Sequence, residues 1–147
     1  MNARERVVRK RLRDDLPYYA AKCLRIRTKA GEIRPFVLNA PQHRIHRWIE
    51  DHRHRRGGRV RVLVLKARQW GCSTYVEGRI YHKVAHRFGA RAYILTHALE
   101  ATDAIFQMAQ RFHEHCPQPV RPSTGRSNTK ELRFDKLDSG FEVGTAG

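Results

Sequence analysis

The hydrophobic positions along the chain predict a central βαβα unit. Residues 60–65 are rich in β-branched and apolar side chains, which predicts a buried strand. Val76, Ile80, Val84 and Phe88 then recur every fourth position, which predicts a helix over residues 73–87 that ends at Gly89. A second short strand is predicted over residues 92–95, and a second helix over residues 105–112 and beyond, ending at Pro117. Because strands joined through a helix run parallel, this order predicts an α/β fold with a mostly parallel sheet.

The flanking segments predict shorter elements. Residues 24–26 alternate apolar and charged side chains before a predicted turn at residues 29–32. Asn39 predicts a helix N-cap, with Pro41 in the first turn and an end at the glycines of positions 57 and 58. Residues 117–130 are rich in Pro, Ser, Thr and Gly and predict an exposed loop. Renewed alternation over 132–134 and 141–143, around a turn at 138–140, predicts a hairpin or two successive strands.

Length and composition favour one cytoplasmic domain. A chain of 147 residues can bury a core, and no apolar stretch approaches the roughly 18 residues that span a membrane. Residues 1–13 are basic but lack the apolar segment of a signal peptide. Residues 4–13 predict a short helix, either a frayed, solvated end or an arm that contacts phosphates. The three cysteines form no C-x-x-C pair, so neither a disulfide framework nor a zinc site is predicted.

The charge of the chain predicts a polyanionic partner. The formal net charge is +16, and residues 1–68 contain most of the excess of Lys and Arg over Asp and Glu. DNA or RNA is the commonest partner for so basic a protein. A merely solvated basic surface is the alternative.

Residues 66–74 occupy the position of a phosphate-binding loop, between a predicted strand and a predicted helix. The standard loop is G-x-x-x-x-G-K-[ST], whose backbone N–H groups and helix N-terminus bind phosphate. Aligned with that pattern, Gly71 is the second glycine and Ser73 the hydroxyl residue, while Cys72 stands at the lysine position. Lys66 stands at the first glycine position, so the lysine is displaced to the other end of the loop. The alternative is an ordinary polar turn between a strand and a helix.

With its displaced lysine, this loop resembles the deviant Walker A motif of tailed-phage terminase large subunits, the ATP-driven motors that package double-stranded DNA into procapsids. Upstream, residues 36–42 are similar to that family's adenine-binding segment, in which an aromatic residue precedes a glutamine. Downstream, residues 138–147 are similar to the stretch before the family's Walker B strand. The resemblance extends from about residue 18 to residue 147. It implies a P-loop NTPase-type three-layer sandwich, incomplete at its C-terminus, preceded by a basic segment over residues 1–17.

The resemblance implies roles for individual residues. Phe36 and Gln42 would contact adenine, and an amide can both donate to and accept from an adenine edge. Phe36 as an ordinary core residue is the alternative. Arg68 would have a catalytic role in phosphoryl transfer, with phosphate binding or a salt bridge as the alternative. The hydroxyl of Ser73 would bind Mg²⁺. The implied phosphate-binding residues are Lys66, Ala67, Arg68, Gln69, Trp70, Gly71, Cys72, Ser73 and Thr74.

The same resemblance implies the cofactors ATP and Mg²⁺ and a motor that couples ATP hydrolysis to DNA translocation. The implied partners are double-stranded DNA, a small terminase subunit, the portal protein and other copies of the chain in a ring. The implied location is the cytoplasm of a host bacterium, without a membrane partner. An apolar strand ending in Asp-Glu, which would hold Mg²⁺ and activate water, is absent from the sequence. We therefore expect this chain alone to hydrolyse ATP poorly. A non-catalytic basic nucleic-acid-binding module, or a truncated prophage remnant, is the alternative.

Overall fold

A computed structural model describes residues 1–128 and 130–147. Thr129, which belongs to the predicted loop over residues 117–130, lies outside the described residues. Contacts divide the chain into two compact units. We call Met1–Val37 together with Glu77–Gly147 the sheet unit, and Leu38–Val76 the loop unit.

Two capped helices open the sheet unit. Helix α1 (Ala3–Asp14) begins where Asn2 Oδ1 accepts a hydrogen bond from the Glu5 N–H at 2.8 Å. Helix α2 (Leu16–Cys23) begins where Asp15 Oδ1 accepts from the Tyr18 N–H at 2.9 Å. Such caps satisfy N–H groups that have no partner within the helix. The helix predicted over residues 4–13 is therefore confirmed.

The sheet unit contains a hairpin and a four-stranded sheet. Strands β1 (Arg25–Arg27) and β2 (Ile33–Pro35) pair antiparallel around the predicted turn. The larger sheet has the order β3-β6-β5-β4, with β3–β6 parallel and the other two pairs antiparallel. Its strands are β3 (Arg91–Thr96), β4 (Arg126–Ser127), β5 (Glu131–Phe134) and β6 (Ser139–Thr145).

The sheet is mixed, so the prediction of a mostly parallel sheet is wrong for the described strands. Strands β5 and β6 are joined by one short 3₁₀ turn, Asp135–Leu137, which permits only antiparallel pairing. The coarser prediction of a mixed α and β chain is confirmed, as are the strand near residues 92–95 and the hairpin after residue 131. Helices α4 (Cys72–His86) and α5 (Leu99–His115) confirm the two helices predicted from apolar spacing.

Aromatic side chains form the core of the sheet unit. Tyr81, Phe112 and Phe134 are fully buried, with ring centroids of Tyr81 lying 5.9 Å from Phe112 and 6.0 Å from Phe134. Phe36 stacks on Phe112 at 6.2 Å. A Cβ at Gly78 would lie 2.8 Å from the Phe36 ring, so α4 approaches this ring because residue 78 is glycine. Burial of each such ring contributes about 2 kcal/mol to folding.

The loop unit has one long helix and an extended segment. Helix α3 (Ala40–Arg55) starts at Asn39, as predicted, and ends before Gly57 and Gly58, both of which have positive φ. Residues 60–65 form no strand in the described structure, so the buried strand predicted there is wrong. Leu63 is 98% exposed and Leu65 fully exposed. No described strand pairs with this segment, and a strand without a ladder partner leaves its backbone to water. Among the described residues, no helix is long and apolar enough to cross a bilayer.

Candidate nucleotide-binding loop

The loop before α4 has an unusual backbone at two positions. Gln69 has a φ of 68°, and Gly71 has a φ of 75°. Left-handed backbone is costly for a residue with a Cβ and free for glycine. A Cβ at position 71 would also lie 2.5 Å from Gln42 Nε2. The backbone conformation therefore favours glycine at position 71, and a Cβ there would also displace the Gln42 amide, whereas Gln69 accepts a less favourable conformation.

Gln42 joins the start of α3 to this loop. Its N–H donates to Asn39 Oδ1 at 2.9 Å, and its Oε1 accepts from the Asn39 N–H at 2.8 Å, which forms a capping box. Its Nε2 donates to the Gly71 carbonyl at 2.9 Å, and Asn39 Nδ2 donates to the Trp70 carbonyl at 3.4 Å. Gln42 is 4% exposed, so its own amide is shielded from water, whereas the hydrogen bond of Asn39 to Trp70 lies at the surface. The cap of one helix thus holds the loop that leads into the next.

The predicted phosphate-binding residues differ in accessibility. Residues 66–70 are exposed, Gly71 is half-buried and Cys72 is buried. Ser73 is exposed and Thr74 half-buried in the first turn of α4. Within the described part of the chain, neither Lys66 nor Arg68 has an ion-pair partner. Both cations are therefore exposed and without a carboxylate partner in the segment that leads into α4, and the backbone at a helix N-terminus favours negative charge.

The two predicted adenine-binding residues lie in different units. Phe36 is 1% exposed in the core of the sheet unit, where it stacks on Phe112. Gln42 belongs to the loop unit, and both ends of its amide already have protein partners. Phe36 therefore has the surroundings of an ordinary core residue, which was the alternative to adenine binding. Contact of either residue with adenine stays a prediction.

The sequence also contained a signal for a structural role of Gln42, namely its part in the capping box of α3. A cap residue followed three positions later by Glu or Gln is the pattern of a capping box, and Asn39 and Gln42 have that spacing. A second contact joins α3 to α4, because His46 Nδ1 lies 3.0 Å from the Tyr75 hydroxyl. No sequence pattern indicated this contact, since the two residues belong to different helices.

Glu77 is a buried acid that sequence reasoning missed. It lies in the sheet unit on α4, is 2% exposed, and neither carboxylate oxygen reaches a hydrogen-bond partner among the described residues. Burial raises the pKa of Glu77 to about 9, and the Ala109 backbone and the Arg111 charge lower it only in part. Glu77 is therefore mainly neutral at pH 7. Among the described residues, no group of three or more His, Cys, Asp or Glu side chains is arranged to hold a metal ion.

No protein-family model matches the chain, and no curated protein matches it.

Proposed function

We propose that this chain is the ATP-binding part of a DNA-packaging motor of the terminase large-subunit type, built on a P-loop three-layer sandwich. The observation that supports the proposal most is the loop at the start of α4. Gly71 has the positive φ of a tight turn, Gln42 holds the loop through the Gly71 carbonyl, and the first turn of α4 begins directly after it. A helix N-terminus behind a glycine turn is a general phosphate-binding arrangement.

The side chains around this turn fit a nucleotide triphosphate. Lys66 and Arg68 are exposed cations that can reach solvent-facing phosphate oxygens, and Arg68 is the candidate for stabilising charge during phosphoryl transfer. The exposed hydroxyl of Ser73 is the candidate Mg²⁺ ligand on the protein. The carboxylates that hydrolysis also needs are not among these residues. We therefore propose nucleotide binding for this chain and hydrolysis for a complete motor.

In that motor, the proposed partners are double-stranded DNA, the portal protein, a small terminase subunit and other copies of the chain arranged in a ring. The motor would act in the cytoplasm of a bacterial host. The high basic charge supports a DNA partner in this proposal.

Trp70 offers a direct test, because it lies within the loop and is 51% exposed. The chain has two tryptophans, so Trp48→Phe leaves Trp70 as the fluorescent reporter. In that background, titration with Mg²⁺ and ATP should change Trp70 fluorescence with saturation. Lys66→Ala should weaken the apparent affinity at least about tenfold. Lys22→Ala, which removes an exposed lysine from α2, is the matched control and should leave the affinity unchanged.

Two results would contradict the proposal. One is ATP binding with the same affinity in the Lys66→Ala and Lys22→Ala proteins. The other is no saturable signal at ATP concentrations well above about 1 mM, where binding is weaker than about 4 kcal/mol.

The basic surface of the loop unit favours a second candidate, a non-catalytic nucleic-acid-binding module. Between residues 40 and 61 there are many arginines and only two acids, Glu50 and Asp51. Trp48, which lies in the same segment and is 41% exposed, stacks on His52 with ring centroids 3.8 Å apart. The arginines of this segment are Arg44, Arg47, Arg53, Arg55, Arg56, Arg59 and Arg61. Salt-dependent DNA binding together with no response to ATP would favour this candidate.

A further inference from the structure

The sheet unit contains a cleft of about 860 Å³ that shares no residue with the loop before α4. Three cationic side chains line it, and they come from separate parts of the unit: Arg9 from α1, Arg121 from the segment after α5, and Lys136 from the 3₁₀ turn. Of the described residues that line the cleft, none is Asp or Glu. We call it the basic cleft.

The charges in the basic cleft are only partly balanced. Arg9 pairs with Glu5 at 3.2 Å and also donates to the Pro119 carbonyl at 3.4 Å. Arg121 donates to the Glu114 carbonyl at 3.2 Å. Within residues 1–128 and 130–147, neither Arg121 nor Lys136 has a carboxylate within ion-pair distance. Two uncompensated cations thus face one concave surface.

The positive charge of Arg121 affects the ionisation of a nearby histidine. Burial, and then the positive charge of Arg121, lowers the pKa of His113, which also lines the cleft. His113 Nδ1 lies 2.9 Å from the Tyr81 hydroxyl, so the ring is fixed by a core side chain. A bound anion would offset the charge of Arg121 at this ring. His113 is therefore a natural reporter of anion binding.

We propose that the basic cleft binds phosphate groups, either those of a free nucleotide or those of a nucleic-acid backbone. An arginine fork matches two phosphate oxygens, a lysine adds a point charge, and the exposed hydroxyls of Ser123 and Thr124 supply further donors. The half-buried Val120 and Leu137 give the same cleft an apolar wall. Its volume lies in the range of small-ligand sites, which is large enough for a nucleotide.

The test compares two double variants that remove the same charge. Arg121→Ala/Lys136→Ala removes the two unpaired cations of the cleft, and Lys22→Ala/Arg27→Ala removes two exposed cations of the sheet unit that do not line it. Each protein is titrated with inorganic phosphate, ATP and a mixed-sequence DNA duplex. His113 ring signals are followed by NMR in the first two titrations, and circular dichroism checks that each variant folds.

Two outcomes support the proposal and distinguish the sources of phosphate. If the cleft binds free nucleotide, the cleft variant loses at least about tenfold in ATP affinity and the His113 shift disappears, while the control retains both. If it binds a backbone, the cleft variant lowers the slope of log affinity against log salt for DNA by about 2 relative to the control. Equal binding of all three ligands by the cleft variant and the control would overturn it.

This experiment separates the cleft from the proposed nucleotide loop. If ATP binding requires Lys66 and not Arg121, and DNA binding requires Arg121, both proposals stand. If ATP binding requires Arg121 and not Lys66, the basic cleft is supported and the proposed function fails.

Discussion

The sheet unit and the loop unit each contain a short apolar segment, but only the segment in the sheet unit forms a strand. In the sheet unit, Arg91–Thr96 becomes β3 because β6 lies parallel to it and exchanges ladder hydrogen bonds with it. In the loop unit, residues 60–65 are at least as apolar, yet they form no strand. The difference shows that apolar, β-branched composition provides only a tendency. A strand forms where another strand satisfies its backbone.

The two units also differ in what stabilises them. The sheet unit buries aromatic and aliphatic side chains such as Tyr81, Phe112 and Val143 completely. The loop unit buries fewer side chains, Tyr75 the largest of them, and adds hydrogen bonds from the cap of α3 to the backbone before α4. Removing one cap typically costs about 1 kcal/mol, whereas truncating a core side chain costs about 2–5 kcal/mol. We therefore expect the largest effects of substitution in the sheet unit.

Gly140→Ala should give the largest effect. A Cβ at position 140 would lie 2.6 Å from the Leu132 carbonyl oxygen, and both atoms belong to paired strands that cannot move independently. We expect the free energy of unfolding to fall by about 3 kcal/mol or more. Urea unfolding followed by circular dichroism measures this loss.

Gly147→Ala is the matched control, because no atom lies within 4 Å of a Cβ at that position. An unfolding midpoint for Gly140→Ala equal to that of the control would show that β5 and β6 are not packed as described.

Glu77→Gln should give the next largest effect, and it tests whether burying the Glu77 carboxyl group lowers the free energy of unfolding. The folded pKa of Glu77, about 9, lies above the unfolded value of about 4.5, so the neutral form is favoured by folding. This contribution to stability is fully present below pH 4.5 and is lost as the pH rises towards 9. Gln removes the titration, and because pH 7 lies well above the unfolded pKa of Glu77, the variant should be more stable than the native chain by about 3 kcal/mol at pH 7.

The measurement is the free energy of unfolding at several pH values between 4 and 9. Glu142→Gln, an exposed acid on β6, provides the control and should leave the slope of stability with pH unchanged. If the Glu77→Gln slope equals that of the native chain, Glu77 is ionised and solvated in the folded protein.

Local patterns predicted the helices well and the surroundings of individual residues poorly. The apolar spacing on α4 and the cap at Asn39 identified helices because both signals are contained within one segment. The orphaned carboxylate of Glu77 and the stacking of Phe36 on Phe112 depend on residues distant in sequence. In the candidate site, Gly71 and Gln42 were predicted individually, but the hydrogen bond that joins them was not. Spacing cannot encode a contact between α3 and the loop before α4.

The smallest expected effect belongs to Leu63→Ala, and it is the sharpest test of the difference between the units. Leu63 is 98% exposed in the loop unit, whereas Leu132 is 1% exposed on β5. Leu132→Ala, the matched substitution, should lower the free energy of unfolding by about 3 kcal/mol, because it leaves a cavity in the core. Leu63→Ala should change it by less than about 0.5 kcal/mol. If denaturant unfolding instead gave similar losses for both, the Leu63 side chain would be buried in the folded protein, and this difference between the two units would not hold.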